Sequence, residues 1–392
     1  MSPSMQKKPF AVIAKPVGSR CNMHCRYCYY LEKYRFSEHE QQNRMSYSLL
    51  EKLIRQTIDA SPGPMVSFTW HGGEPTLAGI EFYERVVTFQ KKYLPRGWQV
   101  INNLQTNGLL LDDKWCDFIV ENGFDVGISI DGAQCVHDAN RLDMGGNATY
   151  ERVRAAVERL KGRGIDPDIL CTVTSNSAEN PLLTYRALRD LGVAWIQFIP
   201  VLVRFDDGSM SPESVSAEAY GRFLTEIFDE WVTHDLGKTD VQLFAETAKV
   251  WAGGRAALCW MAQTCGRVLV VEEDGGVYSC DHFVDSEHRL GTMPVDRLDR
   301  LLNSVCQTEF GNAKRDSLTS QCRKCPYLTV CGGGCLKDRF GVADGGEQGQ
   351  YYLCRGLFEF FEHSKPIMEE VMRLSRLGKT PEQIMERLNK KK

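Results

Sequence analysis

The sequence predicts an α/β fold, a parallel sheet either open or curled into a partial barrel, followed by a second, cysteine-rich region. Two observations predict it. Between residues 10 and 203 short β-type runs alternate with segments of helical periodicity, the pattern of right-handed βα units. Beyond residue 258, nine of the fifteen cysteines crowd into a glycine-rich stretch. A chain of 392 residues suits one large α/β domain with a smaller one appended.

Six strands are expected at 11–14, 66–70, 100–104, 126–130, 169–173 and 195–201, with helices at 47–59, 80–93, 113–121, 150–161 and 181–191 between them. The polar run Asp206-Asp207-Gly208-Ser209 marks a boundary, and helices at 217–233 and 241–251 follow. Past them only 268–278, turning at Asp274-Gly275-Gly276, reads as regular strand. Helices at 358–375 and 381–389 precede a basic tail, Lys390-Lys391-Lys392. The expected division is 1–210, 211–256 as a helical connector, 257–360, and 361–392 as terminal helices.

Apolar residues are 43% and charged residues 25%, with a formal charge of -4. No broad basic field exists for a phosphate backbone, so nucleic acid is not the expected partner. Neither a leader-like apolar run at 1–10 nor a bilayer-length apolar run is present, which points to a cytoplasmic protein with no membrane association. The odd cysteine count and CxxC-type spacings favour metal or cluster ligation over disulfides.

Parallel sheets concentrate chemistry on loops after the strands. After the first strand stand Cys21, Cys25 and Cys28, a CxxxCxxC spacing. Three thiolates on one loop can hold three corners of a cubic iron-sulfur cluster and leave one iron open. A zinc knuckle with His24 as fourth ligand is the alternative. After the second strand stands His71-Gly72-Gly73-Glu74-Pro75, where glycines admit a close ligand and carbonyl or carboxylate oxygens can accept from an amino group. Gln105-Thr106-Asn107-Gly108, Ser129-Ile130-Asp131-Gly132 and His137 to Arg141 occupy later loops.

These motifs resemble the radical S-adenosylmethionine (SAM) superfamily, whose CxxxCxxC is followed by aromatics, here Tyr27, Tyr29 and Tyr30. The resemblance implies a partial (β/α)6 TIM-type barrel and a 4Fe-4S cluster whose open iron chelates SAM. It further implies SAM contacts at Tyr30, Gly72, Gly73, Glu74, Ser129 and Arg141, with Leu202 packing the adenine.

Downstream, Cys322, Cys325, Cys331 and Cys335 read CxxCxxxxxCxxxC. Spacing alone groups these four as one zinc or iron-sulfur site. The region looks like a SPASM domain, which implies two auxiliary 4Fe-4S clusters, three clusters in all. The family pattern assigns Cys259, Cys265, Cys280 and Cys335 to one, and Cys322, Cys325, Cys331 and Cys354 to the other. Cys116, Cys135, Cys171 and Cys306 remain as core or incidental thiols.

Within that group the chain is most similar to anaerobic sulfatase-maturating enzymes, through Ala14-Lys15-Pro16, Trp70 to Leu77, Leu104 to Gly108, Gln197-Phe198-Ile199 and Val277 to Phe283. The resemblance implies oxidation of a sulfatase cysteine or serine to Cα-formylglycine, with a flavodoxin or ferredoxin as electron donor and Asp281 as catalytic base. His71 stands where many of these enzymes have Gln. A peptide maturase forming thioether or carbon-carbon crosslinks shares every SAM and cluster motif, and a noncatalytic zinc or iron-sulfur module is the reading from another class.

Overall fold

The computed structural model describes residues 7–30, 33 and 44–390. Residues 391 and 392 of the basic tail lie outside the described residues, as do 1–6 of the amino-terminal stretch.

Six parallel strands form the barrel wall: β1 (Ala11–Ala14), β2 (Met65–Trp70), β3 (Gln99–Thr106), β4 (Phe124–Ser129), β5 (Asp168–Val173) and β6 (Trp195–Pro200). Helices α1 (Tyr47–Ala60), α2 (Ile80–Tyr93), α3 (Asp113–Asn122), α4 (Gln134–Asn140), α5 (Tyr150–Lys161), α6 (Ser175–Glu179) and α7 (Pro181–Arg189) connect them. α4 and α6 are absent from the sequence expectation, because neither is long enough to show helical periodicity. Starts are set by side-chain caps: Ser46 accepts from Leu49 N, and Asp112 accepts from Trp115 N, each worth about 1 kcal/mol.

Strand alternation sorts the two faces. In β2, Val66, Phe68 and Trp70 are buried under the helices while Ser67 and Thr69 are half-buried. The same register leaves Asn103, Gln105, Ser129, Thr172 and Gln197 on the less buried face. Cross-strand bonds link them, Asn103 Nδ2 to Ser67 Oγ at 3.2 Å and Gln105 Nε2 to Ser129 Oγ at 3.2 Å. A barrel lined this way keeps a polar interior rather than a packed apolar one.

The second half contains more regular structure than the hairpin the sequence suggests. After α8 (Ala217–His234), β7 (Asp240–Val241) and α9 (Gln242–Trp251) come β8 (Val268–Val271), β9 (Gly276–Tyr278) and β10 (Arg289–Thr292), then α10 (Leu298–Leu302), α11 (Val305–Asp316), α12 (Ser320–Lys324), α13 (Leu328–Cys331), β11 (Gly341–Val342), β12 (Gln348–Gln350), α14 (Cys354–Arg376) and α15 (Pro381–Asn389). β8 and β9 form the expected antiparallel pair. β8 also pairs in parallel with β1, Ala11 to Val268 through Ala14 to Val271, so the cysteine-rich region continues the barrel sheet. Among the described residues the sheet order is β10-β9-β8-β1-β2-β3-β4-β5-β6-β7.

α14 packs along α8, with Phe360 edge-on to Phe228 at 6.0 Å and stacked on Phe244 of α9 at 5.5 Å. Such pairs add about 0.5–1.5 kcal/mol beyond their burial. A separate small core, Tyr30, Val270, Tyr278 and Val284, joins Ile13 and Cys28. This cluster welds the first cysteine loop to β8 and β9.

Candidate active site

The loop bearing Cys21, Cys25 and Cys28 is pinned from two sides. His24 N donates to Leu142 O at 2.8 Å and Arg26 N to Asn140 O at 3.0 Å, which draws Arg141 toward the thiols. On the other side Gly73 N donates to Gly18 O and Glu74 N to Arg20 O, both at 2.8 Å. A Cβ at Gly73 would stand 2.1 Å from Arg20 O, so only glycine permits this approach.

The three thiols lie within electrostatic reach of one another. Burial pushes Cys21 up to about 12 and Cys25 up to about 11. Such thiols become ligands only when a cation displaces the proton, which iron would do. His24, by contrast, is exposed.

Glu74 is fully buried, and its carboxylate is occupied by the neighbouring loop. Oε1 accepts from Thr76 N at 3.0 Å and Thr106 Oγ1 at 2.7 Å, and Oε2 accepts from Asn107 N at 2.8 Å. Asn107 Nδ2 in turn donates to Asn22 Oδ1 at 2.7 Å. The side chain expected to meet SAM also ties two loops to the cysteine loop.

Arg141 is buried, donates from Nη1 to Tyr27 Oη at 2.8 Å, lies 3.8 Å from Asp131 Oδ1 and is in electrostatic reach of Cys25. Its Nε is buried without a partner. An orphaned guanidinium donor beside the cysteine loop fits a carboxylate such as that of SAM. Ser129, the last residue of β4, bonds Gln105. Leu202 is buried just beyond β6 rather than on it, and its carbonyl accepts from Lys337 Nζ at 3.2 Å.

The auxiliary thiols separate into two sets. Cys280, Cys335 and Cys265 each lie in reach of Cys259. Cys331 and Cys354 share Cys322 and Cys325 as neighbours. Cys335, four residues after Cys331, thus lies in reach of Cys259 and Cys280, thiols far from it in sequence. Among the described residues no three such side chains converge as around a single metal ion; a cubane spreads its thiolates over a wider frame. Cys116 and Cys171 are buried, while Cys135 and Cys306 are exposed.

Asp281 meets residues from both halves of the chain. Lys15 Nζ, on a fully buried side chain following β1, lies 2.5 Å from Asp281 Oδ1, and Tyr29 Oη donates to Oδ2. Tyr29 is in reach of both Cys28 and Cys280, so this pair stands between the first loop and the auxiliary thiols. Burial would raise the Asp281 carboxyl, but Lys15, His71 and His282 outweigh it and hold it below the usual carboxylate range. His71 Nδ1 accepts from Lys15 Nζ at 2.9 Å and Gly72 N at 2.8 Å, which assigns the ring proton to Nε2. Burial, then Lys15, pulls His71 down to about 4. Tyr30 stacks under Lys15 at 4.2 Å and donates to Glu272, whose carboxyl burial pushes up to about 8.

Sequence reasoning did not assign roles to Lys15, Tyr29 or Glu272. A lysine ending an apolar strand, in Ala14-Lys15-Pro16, is the one signal that could have found Lys15.

Residues 16–177 match the Radical SAM superfamily and residues 259–326 match the SPASM iron-sulfur cluster-binding domain. A serine-type anaerobic sulfatase-maturating enzyme of Bacteroides thetaiotaomicron is 39% identical across 97% of this chain and 95% of its own. A cysteine-type enzyme of Clostridium perfringens is 33% identical across 91% and 97%. The solved structure of native anSMEcpe with bound AdoMet and Cp18Cys peptide superposes with a TM-score of 0.85 at 32% identity, covering 93% of this chain and 99% of that one. Streptococcus suis SuiB bound to S-adenosylmethionine, at 13% identity and a TM-score of 0.62 over 89% of this chain and 78% of its own, shares the fold alone. With a barrel ending in an open three-thiol loop, two further thiol sets and relatives aligned over nearly their full length, the chain belongs to the anaerobic sulfatase-maturating enzymes of the radical SAM superfamily.

Proposed function

We propose that this enzyme oxidises a cysteine or serine of a sulfatase polypeptide to Cα-formylglycine, and that Asp281 is the base which takes the substrate thiol or hydroxyl proton. The ion pair of Asp281 with buried Lys15, beside Tyr29, which is in reach of both Cys28 and Cys280, is the observation that carries the assignment. Its cofactors are SAM and three 4Fe-4S clusters; when bound, they supply a 5'-deoxyadenosyl radical that removes one Cβ hydrogen, and an acceptor for the second electron.

The chain's own residues do the rest. Cys21, Cys25 and Cys28 hold the radical cluster. Arg141 receives the SAM carboxylate on its free Nε, Gly72 and Gly73 present backbone to the amino group, Ser129 meets the ribose and Leu202 covers the adenine. Tyr30 supports Lys15 from below and Glu74 locks the loops. Cys259, Cys265, Cys280 and Cys335 hold one auxiliary cluster, and Cys322, Cys325, Cys331 and Cys354 the other.

Lys15 keeps the Asp281 carboxylate ionised and aimed, and Tyr29 fixes its second oxygen. A carbon radical beside a thiol or hydroxyl becomes a far stronger reductant once that group loses its proton, so a base here couples proton and electron loss. A flavodoxin or ferredoxin supplies the priming electron, and the reaction takes place in the cytoplasm. No helix among the described residues is long and apolar enough to cross a membrane.

Mass spectrometry of a sulfatase-derived peptide after anaerobic incubation tests the activity: a serine peptide loses two hydrogens, and a cysteine peptide exchanges SH2 for O. In Asp281→Asn, 5'-deoxyadenosine formation is expected to persist while product falls about 10²- to 10⁴-fold. Product at the wild-type rate removes Asp281 from the mechanism.

A further inference from the structure

Between the two auxiliary thiol sets runs Cys331-Gly332-Gly333-Gly334-Cys335, a segment that leaves one set and enters the other. Its three glycines all take left-handed backbone, φ 60, 75 and 70°, the conformation that side chains resist. Arg339 grips this crossing. Its Nε donates to Gly333 O at 2.9 Å and its Nη2 to Gly332 O at 3.2 Å, while Nη1 donates to Lys314 O at 2.6 Å and Ser317 Oγ at 3.0 Å. A Cβ on Gly333 would stand 2.7 Å from Nη2, so the guanidinium lies directly against the crossing.

Each acceptor is neutral, three backbone carbonyls and a hydroxyl. A guanidinium cannot shed its proton, and a partly buried one needs counter-charge. The thiols acting on Arg339, anionic once they hold iron, come from both sets, Cys265 and Cys335 of one, Cys322 and Cys331 of the other. Lys314 gives a contrast. Fully buried, it donates to Cys259 O at 2.7 Å, Trp260 O at 2.7 Å and Ala262 O at 2.5 Å, and the thiols acting on it are Cys265, Cys259 and Cys335, all of one set.

We propose that Arg339 is a positioning residue shared by the two auxiliary sites, whose fixed positive charge raises the reduction potentials of both clusters, while Lys314 acts on the Cys259-Cys265-Cys280-Cys335 cluster alone. Adding an electron to an anionic cluster is favoured by a nearby cation in a weakly screened interior. One residue thus keeps both sites biased in the same direction, and its grip on Gly332 and Gly333 holds their separation. The inference rests on the ligand assignment above.

The test uses full-length protein in which Cys21, Cys25 and Cys28 are all replaced by Ala, so that only auxiliary clusters are read, reconstituted anaerobically and titrated with reductant under electron paramagnetic resonance. About eight irons per chain establishes the ligand assignment independently of the potentials. Arg339→Gln is expected to keep that iron and move both midpoints to lower potential; Lys314→Met moves one and leaves the other unchanged. Unmoved midpoints in Arg339→Gln, or a shift in one alone, overturn the proposal. Should Arg339→Gln lose its iron, Arg339→Lys, which keeps the charge, is expected to hold both clusters at wild-type midpoints. Lowered midpoints or absent iron in that variant also overturn it, since the residue would then serve geometry alone.

Discussion

The first thiol loop and the auxiliary thiol region solve the same problem in opposite ways. Cys21, Cys25 and Cys28 sit within eight consecutive residues, and their neighbours only pin a loop whose ligand set is already local. The auxiliary thiols are scattered from Cys259 to Cys354, and in the proposed assignment their sets interleave, with Cys335 in reach of Cys259 although it follows Cys331 by four residues. A local site is robust to changes elsewhere in the fold. An interleaved one depends on every element between its ligands, here β8 to β12, α10 to α13 and the glycine crossing.

Removing a ligand from each region should expose that difference. Cys25→Ala is expected to abolish SAM cleavage entirely and lower iron from about twelve to about eight per chain, with both auxiliary clusters intact; residual 5'-deoxyadenosine above background would break the comparison at its local end. Cys335→Ala should also cost about four irons while leaving SAM cleavage in place.

Pairing variants then sharpens the interleaving. Cys280→Ala added to Cys335→Ala should remove no further iron, because both serve one cluster, whereas Cys354→Ala added to Cys335→Ala should remove about four more. Loss of about four further irons on adding Cys280→Ala to Cys335→Ala would restore the grouping that spacing suggests.

The smallest effect concerns the seam where the two regions meet. His71 is neutral in the folded protein, pulled down to about 4 from an ordinary value near 6.5 by burial and Lys15. The unfolded chain therefore binds a proton there first as pH falls, so this stability contribution is present above about pH 6.5 and is lost between about pH 6.5 and pH 4. His71→Gln should flatten that part of a stability-pH curve, read by denaturant titration, with little change at pH 7.5. A curve identical to wild type would mean that His71 is not held neutral by burial and Lys15. Gln can still accept from Lys15 Nζ.

How much of this was legible beforehand depends on range. The six strands and five longer barrel helices follow from periodicity within single segments, and their observed bounds differ by a few residues at most. The short α4 and α6, the strands β10 to β12 and the helices α10, α12 and α13 were not legible, because elements of two to seven residues have no period to read; the twelve-residue α11 buries only Gln307, Gly311 and Lys314, so it shows no apolar stripe. Glu74 was legible as part of a loop after β2 but not as the tie between loops, since its partners Thr106 and Asn107 belong to β3 and its exit.

By itself the sequence determined the open three-thiol loop, the alternating βα order and the family to which the chain belongs, because each is written in residues close together along the chain. Only the tertiary structure decided that Arg339 lies against the glycine crossing from Cys331 to Cys335, and that Asp281 is met by Lys15. β8 joining β1 edge to edge brings residues more than 260 positions apart within 2.5 Å, and no local pattern encodes a contact whose ends are separated by the whole barrel.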